Sequence, residues 1–82
     1  MKGEERQVHR VLGKHIRELR LKRGFSQESF ADHCGLHRTY MGAIERGERN
    51  LTLQTLLTVS KGLGMTLSQL VSGLEKNAEG DR

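Results

Sequence analysis

Residues 26–47 read SQESFADHCGLHRTYMGAIERG, and the pattern inside them sets the architecture. Ser26 suits a helix N-cap, because its hydroxyl can accept an N–H that the first turn leaves unpaired. Phe25 precedes it and Phe30 lies four positions after it, the spacing of a hydrophobic staple that fixes how the chain enters a helix. The device then recurs: Leu36 and Met41 bracket His37, a weaker cap than Ser or Thr. Gly35 stands between the two units, where the chain needs the left-handed conformation that glycine adopts freely. The spacing predicts helices over 27–34 and 38–46 joined by a short turn, which is a helix-turn-helix. In that arrangement the second helix can be laid across DNA. Two short helices around a glycine also occur in proteins that never meet DNA, so individual residues must carry the functional reading.

The same grammar extends in both directions. Downstream, Thr52 is bracketed by Leu51 and Leu56, and Thr66 by Met65 and Leu70, with Gln69 completing a capping box at Thr66. These starts predict helices over 53–63 and 67–75, and Gly24, Gly47 and Gly64 mark further helix ends. Upstream, Val8, Leu12, Ile16 and Leu19 form one apolar stripe over a helix at 8–23. Arg6, Arg10, Lys14, Arg17 and Arg20 gather on the roughly opposite side. Taken alone, that basic side fits an ordinary solvated face and a phosphate-facing one equally well. The expected fold is all-α: a compact five-helix domain at 8–75 around a central helix-turn-helix. A flexible N-terminus at 1–7 and a polar C-terminal tail at 76–82 would flank it.

Composition narrows the function. Eighty-two residues make one domain with a modest core. Cys34 is the only cysteine, which excludes a disulfide within the chain and fits a reducing compartment. No apolar run approaches a membrane span, and MKGEERQVHR lacks the apolar stretch of a signal peptide, so a cytoplasmic location is expected. The net charge of +4 is unevenly spread: residues 1–23 carry eight of the fourteen basic side chains but only three of the ten acids. The remainder is close to neutral. Such asymmetry suits a polyanionic partner, although surface Lys and Arg also serve solubility.

The segments IRELRLKRGFSQESFA, GLHRTYMGAIERGERN and LTLQTLLTVSKGLG resemble the Cro/C1-type (XRE-like) family of bacterial and phage regulators, over about Leu12 to Leu70. Within that family, RTY followed by IERGERNLT is most similar to the controller proteins of restriction–modification systems. The resemblance implies a lambda-repressor-like DNA-binding fold. It implies a transcription regulator that binds a palindromic double-stranded operator as a homodimer, with the helix at 38–46 in the major groove.

Site residues follow from chemistry and resemblance together. Arg38 and Thr39 would sit in the exposed first turn of the recognition helix: Arg can bond guanine O6 and N7 together, and a Thr methyl can pack on a thymine methyl. The alternative for Arg38 is a phosphate contact, which positions without reading. Position 42 is a reading position in the family, and Gly42 and Ala43 would let the backbone approach the groove floor; close packing against another helix is the alternative. His37 is either a base or phosphate donor or a merely exposed, weak cap. The resemblance implies that Gln27, at the start of the preceding helix, bonds a phosphate; the alternative is an exposed helix-start Gln. Arg46, Arg49, Arg17 and Lys14 suit phosphate contacts, and Asn50 could cap or bond the backbone in the same loop. Tyr40 either packs beside Ile44 or lays its hydroxyl on a phosphate. The family pairs Glu45 with an Arg late in the first helix, here Arg20; the alternative is an (i, i+4) pair with Arg49.

Leu67, Leu70, Val71 and Leu74, beside the leucines of the helix at 53–63, exceed what one side of a small core requires, and a dimer interface is expected there. The alternative is that they simply roof the first three helices. His33, Cys34 and His37 do not make the four-ligand set of a structural zinc site, so no metal and no cofactor are expected. No nucleophilic or acid/base constellation is apparent, and neither a small-molecule substrate nor enzyme activity is expected. Two other functions fit the pattern less fully: a DNA-binding antitoxin working with a partner protein, and an interaction module that has kept the fold without DNA binding.

Overall fold

A computed structural model describes the backbone of residues 2–74 and the side chains from Gln7 onward. The described residues form five α-helices: α1 Lys2–Lys22, α2 Gln27–Cys34, α3 Arg38–Glu45, α4 Leu53–Gly62 and α5 Leu67–Val71. The polar tail expected at 76–82 lies outside the described residues.

Caps set the helix starts. Ser26 Oγ accepts the Ser29 N–H at 3.0 Å, and Ser29 Oγ accepts the Ser26 N–H at 2.9 Å, a reciprocal box with Ser in place of Glu or Gln. Thr52 Oγ1 accepts the Thr55 N–H at 3.1 Å. Thr66 and Gln69 form the expected box at 3.1 and 2.9 Å. His37 also caps: its Nδ1 accepts the Thr39 N–H at 3.2 Å.

Two boundaries differ from expectation. Helix α1 begins at Lys2, not near Val8, so the segment expected as a lead-in is helical backbone. Apolar periodicity marks a helix only where it carries a buried stripe. Helix α5 ends at Val71 instead of near residue 75, because Gly73 takes φ +79° and closes it.

The core is built from one stripe of each helix: Leu12 and Ile16, Phe30 and Ala31, Met41 and Ile44, Val59 and Leu63, and Leu70. The staple partners Phe25, Leu36, Leu51 and Met65 pack against it. Leu70 is 0 % exposed, which corrects its placement on a dimer interface: it faces inward and completes the core. Leu67, Val71 and Leu74 are half-buried against the same cluster, so much of the aliphatic surface of α4 and α5 does roof the domain. Leu53 and Leu57 on α4 remain exposed.

Glycines set the closest helix approaches. A β-carbon at Gly13 would fall on the backbone oxygens of Ile44 and Glu45, within 2.6 Å of the latter, so α1 lies directly against the C-terminal end of α3. One at Gly47 would lie 2.7 Å from the backbone of Arg10, and Gly47 also has φ +73°. The turn leaving α3 is thus pinned onto α1 at a position only glycine fills. Arg23 Nε donates to the Leu63 carbonyl, joining the ends of α1 and α4.

Candidate nucleic-acid interface

Exposure along α3 changes abruptly. His37, Arg38 and Thr39 are exposed, Tyr40 is half-buried, and Met41 through Glu45 are buried. Met41 and Ile44 enter the core. Only the first turn of this helix is open to a ligand.

A buried ion pair holds the other end. Glu45 Oε2 accepts from Arg20 Nε at 2.7 Å and Oε1 accepts from Arg20 Nη2 at 3.0 Å, with the side chains 6 % and 3 % exposed for Arg20 and Glu45 respectively. Arg20 Nη1 also donates to the Phe25 carbonyl at 2.9 Å, and Gln27 Nε2 donates to Glu45 Oε1 at 3.2 Å. Ionised groups this deep persist only when paired and hydrogen-bonded. The network joins the end of α1, the entry to α2 and the end of α3, and so fixes how α3 is carried. The alternative partner Arg49 is engaged elsewhere, its guanidinium carbon 5.4 Å from the centre of the Tyr40 ring.

Gly42 and Ala43, expected as base-reading positions, are covered in the free chain. Both are buried, and a β-carbon at Gly42 would lie 3.0 Å from Arg46 Nη1 and 3.2 Å from Gln27 Oε1. The Gln27 and Arg46 side chains cover that part of the helix, which is the close-packing alternative. Gln27 is half-buried, and its amide nitrogen is already committed to Glu45.

The candidate DNA-contacting cations are exposed. Arg38 Nη1 pairs with Glu28 Oε2 at 2.8 Å, and Arg46 Nε with Glu48 Oε2 at 3.0 Å. The hydrogen bond and charge of Glu48 push the Arg46 guanidinium pKa still higher. Arg10, Lys14 and Arg17 are exposed along α1. Tyr40 packs its ring partly on the core, with its hydroxyl 3.5 Å from Thr55 Oγ1 on α4. Glu28 and Glu48 were missed from sequence, as was the close approach at Gly13. Ten residues separate Glu28 from Arg38, and no periodicity flags that pair.

The residues considered for metal are used in packing and capping. His33 stacks on Phe25, centroids 5.0 Å apart, and Cys34 lies against Gly62, where burial pushes its thiol pKa up. His37 caps α3. No helix among the described residues is long and apolar enough to cross a membrane.

A short helix clamped at its C-terminal end, with an open first turn that begins at Arg38, is the arrangement of helix-turn-helix DNA-binding regulators. The helix-turn-helix model HTH_3 matches residues 16–70, and the chain belongs to this family of Cro/C1-type (XRE-like) regulators. Control protein C.SmaI of Serratia marcescens is 41 % identical over 75 residues, covering 89 % of this chain and 88 % of the relative. Control protein C.MunI of a Mycoplasma species is 49 % identical over 65 residues, 78 % of this chain and 88 % of the relative. Among solved structures, the tetramer of restriction–modification controller protein C.Esp1396I in complex with its natural 35 base-pair operator matches with a TM-score of 0.77 at 33 % identity. That match covers 88 % of this chain and 95 % of the other.

Proposed function

We propose that this chain is a transcription regulator of the controller kind, binding a palindromic double-stranded DNA site as a homodimer. The observation that carries the reading is the single open turn of α3, His37–Thr39, on a helix whose other end is locked by Arg20 and Glu45. A rigid mount matters because base-edge hydrogen bonds tolerate little misplacement. Arg38 and Thr39 are the proposed base-reading residues, with His37 beside them. Gln27, Arg46, Arg49, Lys14, Arg17 and the Tyr40 hydroxyl are the proposed phosphate contacts, and these set register without reading sequence. For Arg46, contact means exchanging the exposed Glu48 carboxylate for a phosphate, a small cost for a surface pair.

The dimer face is proposed at the half-buried Leu67, Val71 and Leu74. Two copies related by a two-fold axis would present two α3 helices to half-sites about one helical turn apart. The operator complex of C.Esp1396I supports this reading, as does the identity to C.SmaI and C.MunI. A binding role without catalysis and a cytoplasmic location, where DNA and a reduced thiol coexist, go with it.

The test is selection of bound duplexes from random double-stranded DNA, followed by fluorescence anisotropy on the recovered sequence. A recovered palindrome whose affinity falls steeply with salt and is lost selectively on Arg38→Ala supports the reading. No anisotropy change with any duplex at low salt would overturn it.

A further inference from the structure

The proposed reading residue is not free. Arg38, the first residue of α3, is paired through Nη1 to Glu28, the second residue of α2, at 2.8 Å. Both side chains are largely exposed, 68 % and 71 %. A pair that open to water contributes little to holding α2 and α3 together, and the connecting turn and the core already do that. On a surface proposed to meet a polyanion, a carboxylate is also a liability, because it repels phosphates and cancels the charge of the neighbouring guanidinium. In the first turn of α2 Glu28 favours that helix through its dipole, and its contact with Arg38 is a feature that this local effect does not require.

The geometry gives that contact a use. Guanidinium is a planar fork, and Glu28 occupies only Nη1, so Nε and Nη2 remain as donors on the opposite edge. Two parallel donors are what guanine O6 and N7 accept together. A carboxylate beside one nitrogen biases the orientation of a flexible side chain and offsets part of its general attraction to phosphate. A directional bond to a base edge keeps its value under that restraint; a diffuse attraction to the backbone does not. We propose that Glu28 is a positioning residue for sequence discrimination: it withholds Arg38 from phosphates and presents the free edge of its guanidinium to a guanine. Specificity is the difference between affinities for right and wrong sites, and lowering the second serves it as well as raising the first.

This inference rests on the DNA-reading function above, and its test separates the two. Affinities of the full chain for its selected duplex and for a scrambled duplex are measured by anisotropy across a salt series, for the wild type, Glu28→Gln, Asp32→Asn, Arg38→Ala and the Glu28→Gln/Arg38→Ala double variant. Glu28→Gln is isosteric at an exposed site, so its thermal midpoint should fall by no more than the small loss of a charge–dipole contact in the first turn of α2. It is expected to bind scrambled DNA more tightly, with a salt slope steeper by about one counterion, and its ratio of specific to non-specific affinity should fall on the order of tenfold. Asp32→Asn removes the same charge from the same helix, one turn on, while leaving the Glu28–Arg38 pair in place; its ratio should not change. In the Arg38→Ala background, Glu28→Gln should have no further effect on the ratio.

An unchanged ratio in Glu28→Gln overturns the inference while leaving the DNA-reading function standing. So does an equal fall in Asp32→Asn, which would reduce the effect to net charge. A wild-type chain that does not distinguish the two duplexes sinks the function itself, and this inference with it.

Discussion

The Arg20 guanidinium grips the Glu45 carboxylate through two nitrogens, at 2.7 and 3.0 Å, across the junction of α1 and α3. Removing one partner strands the other charge in a nearly dry site. Glu45→Ala is expected to destabilise the fold by about 3–5 kcal/mol, whereas Arg20→Met combined with Glu45→Leu should recover most of that loss. Urea denaturation of both variants checks the contrast. Equal losses would mean that the pair is more solvated than its burial indicates.

Two helix-interior glycines should respond oppositely to alanine. At both sites alanine gains about 1 kcal/mol of helix propensity. At Gly13 the new methyl meets the backbone oxygens of Ile44 and Glu45, which cannot move without separating α1 from α3. Gly13→Ala is therefore expected to be destabilising, by about 1–3 kcal/mol. At Gly42 the nearest atoms are the far ends of Arg46 and Gln27, which can swing aside. Gly42→Ala should leave the thermal midpoint unchanged or higher.

His37 caps α3, and a DNA contact is proposed for the same side chain. Its Nδ1 accepts the Thr39 N–H, which leaves the proton of the neutral ring on Nε2 as a donor for DNA. Serine is the better cap, so His37→Ser should raise stability by about 0.5 kcal/mol while weakening DNA binding several-fold. Parallel thermal melts and anisotropy titrations read the two effects. Stability and affinity moving together would tie both to the cap alone.

Leu70 and Leu74 differ in kind despite sharing a stripe. Leu70 is fully buried, and Leu70→Ala is expected to cost about 2–5 kcal/mol in the folding of each subunit. Leu74 is half-buried at the edge of the cluster, and Leu74→Glu should dissociate the proposed dimer while each subunit stays helical. Sedimentation combined with circular dichroism distinguishes the outcomes.

Burial raises the Cys34 thiol pKa, so its thiolate is scarcer than that of a free cysteine at any given pH. Alkylation by iodoacetamide near pH 8 should be slow in the native chain and should accelerate in urea. The folded pKa lies above the unfolded one, so the associated stability is full below the ordinary thiol range and is lost as pH rises through the folded value. A native rate equal to that of a free cysteine would contradict the burial.

Much of this molecule could be read one segment at a time. Ser26, Thr52 and Thr66 each cap a helix, and the staple residues beside them pack on the core, because a cap and its staple involve side chains only five positions apart. The start of α3 at Arg38 followed from the same local signals, whereas the exposure of Arg38 and Thr39 was expected from the family resemblance. The pairing of Arg20 with Glu45 came only through family resemblance, since nothing local joins residues 25 apart.

What the chain order by itself determined is therefore where each helix starts, which stripe of it is apolar, and that two short helices flank a turn at Gly35. Tertiary structure alone decided that Leu70 is core, that Gly42 lies beneath Gln27 and Arg46, that Gly13 seats α1 on α3, and that Glu28 reaches Arg38. The physical reason is range. Caps and staples act within one or two turns, whereas burial and ion pairing depend on how close the helices lie and at what angle they cross. An apolar stripe does not say whether its neighbour is the subunit's own core or a second copy.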